Sequence, residues 1–220
     1  LNPGIIYCSI TGFGQTGPYA DRLGYDFIIQ ALSGIMDLTG EPDGEPQKMG
    51  VAFADIFTGL YGVIAIQSAL RVREQSQKGQ HIDLSLMDSM VAVLANQASN
   101  YFVSGKSPKR MGNKHPNIVP YQVFQIKDGH LIIAVGNNEQ FERFCKVIGL
   151  DYLYSSEDYN NNQKRVQNRE KLVEIITSKT TEYNKNDLKS LLEENNVPVG
   201  SVNDIEEVFN DPQVKYRKLK

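Results

Sequence analysis

The sequence predicts an α/β protein in two parts. Three observations lead there: an apolar run from Ile5 to Ile10 that ends in Thr-Gly-Phe-Gly, long apolar helical patterns up to about Val103, and a restart of the pattern after a Gly-, Pro-, Asn- and Lys-rich stretch, Ser104 to Pro120. With 220 residues, 40% hydrophobic and 22% charged, the composition is that of an ordinary globular chain able to bury a core.

The elements follow in order. Ile5 to Ile10 reads as a buried parallel strand opening into a loop. Tyr25 to Leu38 places Phe27, Ile28, Ala31, Leu32 and Ile35 at helical spacing and stops at Gly40, and a polar loop covers Glu41 to Lys48. From Asp55 to about Arg73 the pattern is a helix apolar on nearly every face, hence expected to be buried. His81 to Leu86 alternates like a strand, and Met87 to about Val103 reads as one further apolar helix. Beyond the loop-rich stretch, Tyr121–Ile126 and His130–Val135 flank Asp128-Gly129, a strong hairpin signal. Helices are expected near Glu139–Ile148, Val166–Lys179 and Lys185–Glu194, a short strand at Val197–Val202, and an acidic helix from Asp204. Leu1-Asn2-Pro3-Gly4 runs straight into the first strand without an initiator Met, the opening expected of an internal stretch.

The formal net charge of −3 offers no basic field for nucleic acid or an anionic membrane, so neither partner is expected. The longest apolar stretch, Gly59 to Ala69, is broken by Gln67 and reads as too short to cross a bilayer. Cys8 and Cys145 sit in apolar company and are expected as buried free thiols in a reducing compartment: the cytoplasm, or the mitochondrial matrix in a eukaryote.

Asp55 heads the most apolar helix and admits two readings. As a cap, its carboxylate accepts a backbone N–H of the first turn. As a nucleophile, it sits where a helix terminus favours a carboxylate and lends N–H groups to an anion. Gly12-Phe13-Gly14-Gln15-Thr16-Gly17 follows a strand but lacks the dinucleotide spacing, and a Gly-rich turn is the better reading of it. His115 stands alone in a loop, with no partner at metal-ligand spacing, so no metal is expected.

The blocks gain meaning together. Asn2 through Pro18, Gly24-Tyr25-Asp26, Leu38-Thr39-Gly40, Ala54-Asp55-Ile56-Phe57-Thr58-Gly59-Leu60, Gly79 through Leu86 and Asp211-Pro212-Gln213-Val214 resemble, in order, the middle of family III CoA-transferases, the group of carnitine and formyl-CoA transferases. Gly112-Asn113 and Pro116 through Gln122 resemble the succinyl-CoA:glutarate branch. The resemblance implies a Rossmann-like large domain ending in residues 1–103, a linker and active-site loop over 104–120, and a small α/β domain with an antiparallel hairpin over 121–220. It also implies an interlocked homodimer, with adenine and phosphate contacts supplied from outside this chain.

The same resemblance implies roles. Asp55 falls on the nucleophilic aspartate. Leu23, Gly24, Tyr25 and Asp26 fall on a segment that contacts CoA near its thioester. Gly112, Asn113, Lys114, His115 and Pro116 fall on a loop that closes over the acyl intermediate, although only one glycine is present here. The implied activity moves CoA from an acyl-CoA donor to a small carboxylic acid, a dicarboxylate, through an aspartyl-CoA thioester. Acyl-CoA is then a substrate, and no permanently bound cofactor is expected. Backbone N–H groups at the start of the Asp55 helix are expected to stabilise the oxyanions, and the Asp55 carboxylate to face a cavity. Two alternatives stand beside this. One is a non-catalytic fragment or partner subunit, because the isolated chain reads as incomplete. The other is an acyl-CoA racemase, disfavoured because that branch carries a His acid/base where this chain has Tyr25, and phenol is a poor base at neutral pH.

Overall fold

The computed structural model describes residues 2–220. The chain divides into two compact units, Leu1–Gly112 and Asn113–Lys220. Both mix helices and strands, one around a parallel pair and the other around an antiparallel sheet.

The first unit runs β1 (Ile6–Thr11), α1 (Asp26–Leu32), α2 (Ile35–Leu38), α3 (Phe53–Ser76), β2 (Gln80–Ser85), α4 (Leu86–Val93) and α5 (Ala95–Ser104). β1 and β2 pair in parallel from Ile6↔Gln80 to Thr11↔Ser85, with α3 as the long crossover packed on both strands. Close packing needs a small residue at the crossing: a Cβ on Gly62 would come 3.4 Å from the Leu84 side chain. Ile29, Ala54, Leu86 and Met90 form the buried cluster where α1, α3 and α4 meet. Ser85 caps α4 by accepting the Asp88 N–H at 3.0 Å, so β2 passes into α4 without a loop.

Four expectations need correction in this unit. β1 is half-open rather than buried, with Tyr7 at 61% and Ile10 at 54% exposure. α3 is not a buried helix either. Its buried residues are Ala54, Thr58, Gly62 and Ala69, while Ile56, Leu60, Val63, Ile64 and Val72 are each exposed by half or more. The reason is geometric: a helix apolar all round needs covering on several sides, and the strands and helices of this unit cover one stripe. Nor is the apolar segment short. At 24 residues α3 is long and apolar enough to cross a membrane by length and composition, yet here it packs as the crossover of a parallel strand pair. Finally, the segment read as one helix from Met87 breaks into α4 and α5, because Ala95 adopts the left-handed conformation at φ 47°.

The second unit runs β3 (Tyr121–Ile126), β4 (Gly129–Ala134), α6 (Asn138–Val147), α7 (Tyr152–Ser155), α8 (Asn162–Gln167), α9 (Arg169–Thr180), α10 (Lys185–Glu194), β5 (Val199–Gly200), α11 (Ile205–Asn210) and α12 (Pro212–Tyr216). The sheet order is β3-β4-β5, antiparallel throughout. Gly129 turns the hairpin at φ 148°, a conformation that disfavours any side chain. Phe124, Leu131, Ile133, Phe141, Phe144, Ile148, Leu172, Ile176, Leu188 and Leu192 build one continuous core beneath the sheet. Cys145 lies in that core as a free thiol, and burial pushes it up to about 12, so it is inert at neutral pH. Cys8 is free and only partly buried.

Arg165 is the unexpected member of this interior, with no exposed surface. It reaches no carboxylate. Its Nε donates to the Val119 carbonyl at 2.8 Å, one terminal nitrogen to the Tyr159 carbonyl at 3.0 Å and the other to Asn138 Oδ1 at 2.9 Å, while the guanidinium lies 4.4 Å from the Phe141 ring centroid. Burial lowers it to about 10, which leaves it charged at neutral pH. Arg169, one turn later, donates to the carbonyls of His115 and Pro116 at 2.8 and 3.0 Å. Asn162 adds a bond to the Asn117 carbonyl at 2.8 Å and accepts the Val119 N–H at 3.2 Å. Residues 115–119 are thereby tied to α8 and α9 at nearly every peptide.

Candidate active site

Asp55 is the third residue of α3, not its cap, and it is exposed. The N-cap position is Ala52, which has no side chain able to cap. The cap comes instead from a neighbouring helix. Asp26, at the start of α1, accepts the Ala54 N–H at 2.8 Å and the Asp55 N–H at 3.3 Å through one carboxylate oxygen. Its other oxygen accepts from Gln30 Nε2 at 2.7 Å. Gln30 is fully buried, and its Oε1 accepts the Met49 N–H at 2.9 Å. Both ends of the approach to Asp55 are therefore held by α1.

This arrangement overturns one expectation about oxyanion binding. The Phe53 N–H donates to Val51, those of Ala54 and Asp55 to Asp26, and that of Ile56 to the Ala52 carbonyl. The N–H groups of Phe53 to Ile56 therefore have partners within the protein and are not free for a substrate oxyanion. The expected cavity is likewise not observed, because Asp55 stands on the exposed side of α3 next to Ile56. The helix terminus still favours a carboxylate at this place by its dipole.

Leu23, Gly24 and Tyr25 lead into α1 beside this point. Leu23 and Tyr25 are 81% and 72% exposed and present a free surface, whereas Asp26 is half-buried and committed to backbone donors. Gly24 has a different task. A Cβ on Gly12 would sit 2.6 Å from the Gly24 Cα, and one on Gly24 2.8 Å from the Gly12 Cα, so the loop after β1 and the lead into α1 touch backbone to backbone. The Gly-rich loop is also internally satisfied. Gly14 N–H donates to Thr11 Oγ1 at 2.8 Å, and Gln15 N–H to both oxygens of Asp83 on β2 at 3.0 and 3.1 Å. It is a turn closed on its own sheet rather than a phosphate cradle.

Gly112 ends the first unit at φ 59°, its N–H bonded to the Gly40 carbonyl at 3.1 Å. Asn113 through Pro116 belong to the second unit. Lys114 pairs with Glu170 at 3.7 Å near the surface. His115 Nδ1 accepts the Asn117 N–H at 3.1 Å, and its ring lies 5.0 Å from that of Tyr121. The expected mobile loop is therefore anchored over His115–Val119 by the contacts of α8 and α9. Among the described residues there is no cluster of three or more metal-ligating side chains.

Burial holds the His115 imidazole below the ordinary histidine value, and the Arg169 guanidinium adds to the shift. The bond to Nδ1 fits, since that nitrogen must be unprotonated to accept. The unfolded chain then binds this proton more readily than the folded one. Stability from this site is complete above the ordinary value and declines as pH falls below about 6.5 toward the folded value. An NMR titration of His115 is expected to show a midpoint below that of a free histidine, and a midpoint at or above it would contradict the geometry.

The comparisons agree with the motif reading. The model for CoA-transferase family III matches residues 1–219. A succinate–glutarate CoA-transferase of Agrobacterium fabrum is 55% identical over 220 residues, all of this chain and 55% of that protein. A succinyl-CoA:glutarate CoA-transferase of Mus musculus is 45% identical over 219 residues, 100% of this chain and 50% of that protein. A solved CAIB/BAIF family protein from Brucella suis superposes with a TM-score of 0.80 at 58% identity, covering 98% of this chain and 57% of that one. The chain belongs to CoA-transferase family III. It spans about half the length of the curated relatives it matches.

Two features of the site escaped the sequence. Gln30 carried no signal of its own, and Asp26 was expected only as a contact to CoA. Their joint role depends on which atoms the fold brings into reach of α3, and no local pattern carries that.

Proposed function

We propose that this chain carries the nucleophile and the small domain of an enzyme that moves CoA from succinyl-CoA to a dicarboxylate such as glutarate. The observation that carries the proposal is Asp55, on an exposed first turn of α3 held by α1, within a chain whose relatives are named for that exchange. An Asp55 oxygen attacks the thioester carbonyl; the C–S bond breaks, giving a mixed anhydride and CoA thiolate. The thiolate attacks the aspartyl carbonyl, the C–O bond to the donor acyl group breaks, and the donor leaves as its carboxylate. The acceptor carboxylate then attacks the aspartyl-CoA thioester and the two steps run in reverse. No water enters the balance, so the enzyme must keep water from the anhydride during turnover. With the N–H groups of Phe53 to Ile56 internally satisfied, the oxyanion donors lie outside that turn.

The Rossmann-like character of the larger domain and the homodimer belong to the same proposal. The exposed apolar faces of α3 support the dimer, because a second copy would cover Leu60, Val63 and Ile64. Sedimentation of the complete polypeptide as a monomer would sink that part. The activity is tested by supplying the complete polypeptide with succinyl-CoA and glutarate. Glutaryl-CoA and succinate are expected in equal amounts with no free CoA, and hydrolysis to free CoA without glutaryl-CoA would overturn the proposal.

A further inference from the structure

We propose that Asp26 and Gln30 form a positioning relay for Asp55, and that Asp26 does not contact the coenzyme. The inference rests on the reading of Asp55 as the nucleophile and goes on to say what fixes it. The relay runs from the Met49 N–H to Gln30 Oε1, from Gln30 Nε2 to one oxygen of Asp26, and from the other Asp26 oxygen to the N–H groups of Ala54 and Asp55. It bridges the two ends of the segment that enters α3. Each polar atom has one role only. Because Gln30 has no exposed surface, its amide cannot turn to water, and the Met49 bond dictates that the nitrogen faces Asp26. Asp26 must then be an acceptor on both oxygens.

The chemistry argues against a coenzyme contact. Three donors already converge on Asp26, and CoA, with its phosphates and thiolate, offers negative charge that a carboxylate repels. The groups suited to touch the ligand here are the exposed Leu23 and Tyr25. Asp26 is instead placed to hold the α3 terminus at a fixed angle. Ala54, fully buried against Ile29 and Met90, holds that terminus from the inside. Nucleophilic attack depends on such fixing, since displacing a reacting group by about 1 Å costs on the order of 100-fold in rate.

Polarity reversal tests the relay in the complete polypeptide. In Asp26→Asn the Asn oxygen can keep the α3 donors, but its amide nitrogen meets the Gln30 nitrogen, donor against donor. In Gln30→Glu two carboxylates meet. In the double variant D26N/Q30E an Asn nitrogen faces a Glu oxygen, and every bond is restored with the charge moved from position 26 to position 30. Each single variant is expected to lower kcat about 100-fold with KM for succinyl-CoA changed less than about 3-fold, and the double variant to recover at least about 10-fold. A raised KM with unchanged kcat in Asp26→Asn would show a coenzyme contact and overturn the proposal. So would a folded double variant no better than the singles. If a single variant fails to fold, the double decides alone: transfer within about 10-fold of wild type supports the relay, and lower transfer by folded protein overturns it. Asp55→Asn, run alongside, separates the two ideas. An inactive Asp55→Asn with a fully active Asp26→Asn removes the relay and leaves the nucleophile; an active Asp55→Asn removes both.

Discussion

Asp55→Asn is expected to abolish CoA transfer, with a loss of at least about 1,000-fold in kcat. The substitution is nearly isosteric and sits on an exposed position of α3, so the fold has no reason to respond. What changes is the nucleophile. A carboxylate oxygen carries the electron pair that attacks the thioester, and a carboxamide oxygen, its lone pair drawn into the amide, is a far poorer attacker. Covalent capture gives an independent readout. With succinyl-CoA alone, hydroxylamine should convert Asp55 to a hydroxamate and borohydride should reduce its thioester to the alcohol, both visible by peptide mass. The Asn variant should show neither. Transfer retained by Asp55→Asn, or a label on another residue, would end the assignment.

Arg165→Ala is expected to produce the largest loss of stability, about 4 kcal/mol. The side chain fills space with no exposure and satisfies three acceptors in the second unit. Its removal leaves a cavity beside Phe141 and strands acceptors that cost about 1–3 kcal/mol each when buried without a donor. Water entering the cavity would recover part of that, which keeps the total nearer 4 than the sum. For a unit of roughly 100 residues such a loss lowers the melting temperature by about 15 °C or more. Arg165→Lys should fall between, because one ammonium cannot span three acceptors set in a plane. A shift under about 3 °C for Arg165→Ala would show that these bonds are replaceable by solvent.

Much of the fold was legible, and the reasons are local. Asp128-Gly129 announced the hairpin because few residues accept the backbone angles that Gly129 adopts. The bounds of α10, Lys185–Glu194, match the expected ones, and its buried residues Leu188 and Leu192 stand one turn apart. The missed features are non-local. Whether α3 is buried depends on how many neighbours cover it, and apolarity alone states only a requirement for cover. Arg165 was unreadable because an arginine in a polar helix is normally solvated, and its partners Val119, Asn138 and Tyr159 are distant carbonyls and an amide. In the site, motif order singled out Asp55 as the candidate. The remote cap by Asp26 was hidden because a capping residue is normally sought immediately before the helix, not one helix earlier.

The parallel pairing of β1 with β2 also has a consequence for synthesis. β1 ends at Thr11 and its partner starts only at Gln80, with α3 between them. A ribosome making this chain therefore releases a 24-residue apolar helix before the second strand against which it packs has emerged. During that interval the nascent helix has the length and composition that membrane-targeting factors and chaperones both select. Pausing translation when α3 has left the ribosome and β2 has not should prolong the interval and increase chaperone capture, whereas pausing once β2 and α4 have both emerged should not.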